Sequence, residues 1–103
     1  MLNQFVLVGR IVDLPKYEDL KNENNQITIS VKKVEKNNNG EHLNDIVTCV
    51  LQSTMAKNIS DYCLIGDLVG LKGRIQTRRD EKQNNIIELL IEKASFLSNK
   101  AND

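Results

Sequence analysis

Residues 72–79 carry four cations and no acid, with Lys72, Arg74, Arg78 and Arg79 set among Gly73, Ile75, Gln76 and Thr77. Ammonium and guanidinium groups at this density suit a polyanion. Each can pair with a phosphate oxygen, and arginine can also lie on the face of a base. A second basic group, Lys32, Lys33 and Lys36, is opposed locally only by Glu35. Two short segments therefore hold seven of the fourteen cations. The formal net charge is nonetheless zero, which argues against a protein held to nucleic acid by bulk charge and leaves a local grip. Thr28 and Ser30 add hydroxyls at alternate positions. Spacing alone fits a solvated strand and hairpin equally well, so the choice stays open here.

Other chemistry is sparse. His42 has no Asp, Ser or Cys at a useful spacing, and no pair of carboxylates stands out, so no enzyme is expected. Gly66, Gly70 and Gly73 precede and interrupt an extended pattern rather than open a helix, so they are not a phosphate-binding loop. Cys49 and Cys63 lie in apolar patterns without metal spacing and are expected to be buried, reduced thiols. No cofactor or metal is implied. No apolar run approaches the ~18 residues of a membrane span, and the start shows no secretory pattern, so a cytoplasmic protein without membrane contact is expected. Aromatics are few and tryptophan is absent. Tyr17 falls in a polar connection, free to stack. Tyr62 shares helical spacing with Met55 and Ile59 and is expected in the core.

The elements that must position these groups follow from periodicity. Residues 4–12 are β-branched and nearly all apolar, as in a strand covered on both faces. Residues 16–25 form a polar connection. From Gln26, Ile27, Ile29 and Val31 alternate with Thr28, Ser30 and Lys32, predicting a half-buried strand to about Lys36. Asn37-Asn38-Asn39-Gly40 is a strong turn signal, and a further strand follows over 45–52. Ser53 or Thr54 can cap a helix that Gly66 stops. In 68–77, Val69, Leu71, Gly73 and Ile75 alternate with Gly70, Lys72, Arg74 and Gln76, a bent strand with a cationic face. Residues 80–85 make a hairpin loop, and a last strand runs from Ile86 to about Phe96. Three strands, a helix and two strands is the chain order of an all-β, five-stranded OB-fold, a Greek-key barrel. One domain over 1–97 and a frayed tail over 98–103 are expected.

These residues also resemble the bacterial single-stranded DNA-binding protein family over nearly the whole length. Met1 to Ile11 is similar to that family's opening strand. Residues 57–62, followed by Gly66-Asp67-Leu68-Val69, resemble its helix and the turn after it. Residues 71–78 are close to its fourth-strand signature. The resemblance implies a non-catalytic homo-oligomer, dimer or tetramer, that coats single-stranded DNA during replication, repair or recombination. It also implies stacking aromatics, yet the corresponding places fall near Glu35, Ile46, Gln52 and Asp80. The sequence stops at Asp103 without the linker and acidic tip typical of the family. In this it resembles the short, dimeric primosomal replication protein.

The expectation is sequence-independent binding led by phosphate contacts, with Lys72, Arg74, Arg78 and Arg79 as the main candidates. Lys32, Lys33, Lys36 and Thr28 extend the list. Arg10 is a candidate for either a subunit contact or a DNA contact. Nothing separates DNA from single-stranded RNA. The rival expectation is a protein-interaction or primosome-assembly module that binds DNA weakly or not at all.

Overall fold

The computed structural model describes residues 1–16 and 25–98. Five strands and one helix follow in the order β1 (Phe5–Asp13), β2 (Asn25–Lys36), β3 (His42–Leu51), α1 (Ser53–Tyr62), β4 (Leu68–Arg79) and β5 (Asn85–Ser98). The strands close a barrel in the order β1-β2-β3-β5-β4, so the OB-fold is present with its helix between the third and fourth strands. Tyr17 and most of the first connection lie outside the described residues, as do positions 99–103 of the expected tail. Ser98 itself belongs to β5 and pairs with Leu68.

Alternation fills the barrel. Ile27, Ile29, Cys49, Leu51, Val69, Leu71 and Ile91 point inward and are buried, each fully buried aliphatic contributing about 1.5–3 kcal/mol. Helix α1 follows the end of β3 and plugs that end of the barrel with Ala56, Ile59 and Cys63. The 3- and 4-residue steps between these three define its apolar face. Tyr62 is off that face and 78% exposed, which corrects its expected place in the core. The helix ends differ too. Gln52 is the N-cap and gives no side-chain bond, while Ser53 Oγ accepts from Asn25 Nδ2 at 3.1 Å. The C-cap is extended Cys63, and Gly66, with φ at 96°, turns the chain only afterwards. Both thiols are free and buried, and burial pushes Cys49 up to about 11, so neither is a ready nucleophile.

The hairpin turns are those the residue types require. Asn37 Oδ1 accepts from the N–H groups of Asn39 and Glu41, and Gly40 takes φ of 77°. Asp80 Oδ1 does the same for Lys82 and Asn84. These are side-chain turns of the kind Asn and Asp favour.

Strand β1 departs from the expected double coverage. Phe5, Leu7, Gly9 and Ile11 face inward, but Val6 (63% exposed) and Val8 do not. A single-layered barrel buries only one face of a strand, and nothing described packs over the other. The ladder from β1 to β2 also begins only at Arg10, opposite Ser30, whereas the ladder to β4 runs from Phe5 to Arg10. Residues 5–9 thus have ladder partners on one side alone.

Gly73 sits where β4 shifts register against β5, and a Cβ there would strike the Leu90 carbonyl and come within 2.8 Å of the Phe5 ring. Gly73→Ala should therefore cost about 3 kcal/mol in urea unfolding. At Gly70 an added Cβ meets nothing nearer than 3.7 Å, so Gly70→Ala should stay within about 1 kcal/mol.

Candidate nucleic-acid interface

Strands β3 and β5 run parallel and join through Val50 and Leu90. Both have come from hairpin turns on the same side of this junction. From His42 to Val50 is roughly 26 Å and from Asn85 to Leu90 roughly 17 Å, at the rise of an extended chain. The β2–β3 and β4–β5 ribbons therefore project together and fork at the junction, in a molecule measuring 43 × 31 × 28 Å. At the crotch lies an open recess of about 350 Å³, bordered by Val50, Gln52, Ser53, Gln76, Glu88 and Leu90.

Because odd residues of β4 and of β2 point into the barrel, even ones form the outer surface. On the first ribbon this surface carries Thr28, Ser30 and Lys32 from β2, with Ile46 and Thr48 from β3 beside them. Thr28 and Thr48 hydroxyls bond each other at 2.9 Å. Ile46 is opposite Ser30 and 63% exposed, a bare aliphatic group on a polar face. Lys32 and Arg10 border a second recess, where Arg10 Nη1 donates to the Gly66 carbonyl at 3.0 Å.

The second ribbon divides the expected cations. Lys72, Arg74 and Arg78 share the outer face, while adjacent Arg79 falls on the other, with Ile75 and Thr77. Arg78 Nε donates to Glu88 Oε2 at 2.7 Å, and Gln76 Nε2 donates to Oε1 of the same carboxylate at 3.2 Å. Arg74 stands 4.0 Å from Glu92, with both side chains about half exposed. On the first ribbon Lys33 pairs with Asp45 at 3.4 Å, and Lys36 lies opposite His42 near the tip. The acid-free run 72–79 is thus partly neutralised by β5 across the ladder.

Lys93 was not among the sequence candidates. It lies directly across the ladder from Lys72, beside Val6, Val8 and Leu97. Like charges so placed repel, and the two form a local concentration of positive charge. Its only signal in the sequence was its place in the last strand, where adjacent Glu92 masks it. Among the described residues no acid is in ion-pair reach of Lys32, Lys36, Lys72, Arg79 or Lys93.

Comparison with known proteins agrees with this architecture. The chain is 36% identical over 106 aligned positions to single-stranded DNA-binding protein B of Bacillus subtilis, spanning 97% of this chain and 94% of that one. It is 35% identical over 107 positions to a single-stranded DNA-binding protein of Lactiplantibacillus plantarum, covering 98% of this chain but only 54% of that protein. Among solved structures, the small single-stranded DNA-binding protein of Streptomyces coelicolor superposes with a TM-score of 0.65 at 18% identity, over 94% of this chain and 95% of that one. The mitochondrial single-stranded DNA-binding protein of S. cerevisiae gives 0.69 at 12% identity, over 96% and 97%, and both likenesses speak for the fold. The model of the single-strand binding protein family matches residues 2–97, and the chain belongs to that family.

Proposed function

We propose that this chain binds single-stranded DNA without sequence preference, as a homo-oligomer, in replication, repair or recombination. The forked outer face carries the proposal, because two ribbons bearing exposed, acid-free cations leave an open track for a flexible polyanion. Lys72, Lys93, Lys32 and Lys36 supply charge along it, and Arg79 adds to it from the inner side of its ribbon. Arg74 and Arg78 enter it already paired, and Lys33, paired with Asp45, lies like Arg79 on the inner side of its ribbon. The role is binding rather than catalysis, in the cytoplasm; no described helix is long and apolar enough to cross a membrane. Single-stranded RNA remains a second substrate class, since among the described residues no side chain singles out a 2′-hydroxyl.

Anisotropy of a labelled oligothymidine at low salt tests the proposal. A saturable rise is expected, reversed by unlabelled single strand and not by duplex. No rise at any protein concentration would favour the second reading, a protein-interaction module. That reading draws on the ion-paired Arg74 and Arg78 and on the exposed Tyr62, Leu64 and Ile65.

Oligomerisation fits the half-open edge of β1. Pairing residues 5–9 with a second copy would extend the sheet sideways, bring Val6 and Val8 of two subunits together and leave Lys72 and Lys93 on its open face. Sedimentation should show the parent chain as a dimer or larger, and Val6→Lys/Val8→Lys as a monomer. A parent chain that sediments as a monomer at every concentration would remove the oligomer from the proposal.

A further inference from the structure

We propose that Glu88 is an internal competitor for phosphate at Arg78, so that the chain grips a single strand with one positive contact fewer than its sequence offers. This presupposes that the forked face binds single strands, as proposed above. The three ion pairs on the ribbons are not equivalent. Lys33–Asp45 and Arg74–Glu92 are separated by 3.4 and 4.0 Å between well-exposed side chains, and such pairs open readily in water. Glu88 is different. Its side chain is only 15% exposed, each carboxylate oxygen accepts a hydrogen bond, and the Arg78 bond is 2.7 Å long.

A carboxylate mostly shielded from water holds its cation more firmly than an exposed one, because losing it would leave a poorly solvated charge. The arginine end is 53% exposed and projects from the outer face beside Glu88, which itself borders the recess at the crotch of the fork. A phosphate arriving there meets a guanidinium whose charge is already balanced. It gains hydrogen bonds from the remaining N–H groups, but a pair with no net charge does not neutralise it, so no counterion leaves the nucleic acid. Arg78 therefore adds little to the salt dependence of binding, and Glu88 sets that limit from the neighbouring strand.

Removing the carboxylate charge while keeping its shape tests this. In Glu88→Gln, affinity for labelled oligothymidine should rise on the order of fivefold at about 50 mM salt, and log K against log salt should steepen by about 0.7, one further phosphate contact. In an Arg78→Ala background the same substitution should leave the slope where that background has it, since no cation is released. Glu81→Gln, which removes a charge from the tip of the same ribbon without freeing a cation, should leave the slope at the parent value. Circular dichroism and urea unfolding of each variant establish that it is folded. Three outcomes overturn the proposal: weaker binding in Glu88→Gln, which would mean that Glu88 presents Arg78 to the strand; an unchanged slope in a folded Glu88→Gln; or a steepening that persists without Arg78. If the parent chain binds no oligothymidine, the functional proposal falls and this one with it. If the parent binds and the slope does not move, only the role of Glu88 falls.

Discussion

Oligothymidine binding should weaken at least about a hundredfold when salt rises from roughly 50 to 200 mM. The figure follows from counting charges that the structure leaves available. Lys32, Lys36, Lys72, Arg79 and Lys93 have no acid in ion-pair reach among the described residues. Each phosphate neutralised on a single strand contributes about 0.7 to the slope of log K against log salt, so five contacts give a slope near −3.5. The exposed Lys33–Asp45 and Arg74–Glu92 pairs open readily, and with both cations on phosphate the slope approaches about −4.9 and the loss nears a thousandfold; only with Arg78 also freed from Glu88 would it reach about −5.6. A plain titration at several salt concentrations thus distinguishes the cations free for phosphate from those that their own acids hold. A loss smaller than about threefold over that range would contradict a phosphate-led grip altogether.

That distinction could not be made from the sequence, and the reason is specific. Ion pairs across a ladder depend on register, and Glu88 reaches Arg78 only because Gln76 is opposite Glu88 and Arg78 opposite Ile86. In the linear chain these residues are ten apart, with a turn between them. The turns themselves were legible, because Asn37 and Asp80 act within four residues of their own positions. The strands were legible too, since Ile27, Ile29, Val69 and Leu71 alternate with polar groups and alternation is local. Residues 4–12 misled for the opposite reason. An apolar outer face on β1 reads the same whether another layer of this chain covers it or nothing in this chain does. Tyr62 misled because spacing from Met55 and Ile59 allows two helix faces, and the barrel selected the one through Ala56 and Cys63. Lys93 was missed because a lone lysine beside a glutamate carries no signal until its neighbour across the ladder is known.

The largest gain in affinity should come from Ile46→Trp. Ile46 sits on the outer face of β3 opposite Ser30, with the bonded Thr28–Thr48 pair one step along and Val50 leading to the crotch of the fork. A strand crossing from one ribbon to the other would lay a base there, and at present it finds a small aliphatic group with no ring face. An indole in that place offers a stacked contact of about 1–3 kcal/mol, or roughly 5- to 150-fold tighter binding. The inward side chains of β3, Cys49 and Leu51, are untouched, so the barrel should fold as before. Stacking releases no counterions, so the salt slope should stay at the parent value while the whole line shifts to higher affinity. The chain has no tryptophan of its own, and the new indole would report its own contact by quenching on binding. An Ile46→Trp chain that binds as the parent does, with unquenched fluorescence, would show that the strand does not cross the β2–β3 ribbon. Binding would then have to run along β4 and β5, past Lys72 and Lys93, and the fork would be a feature of the fold rather than of the site.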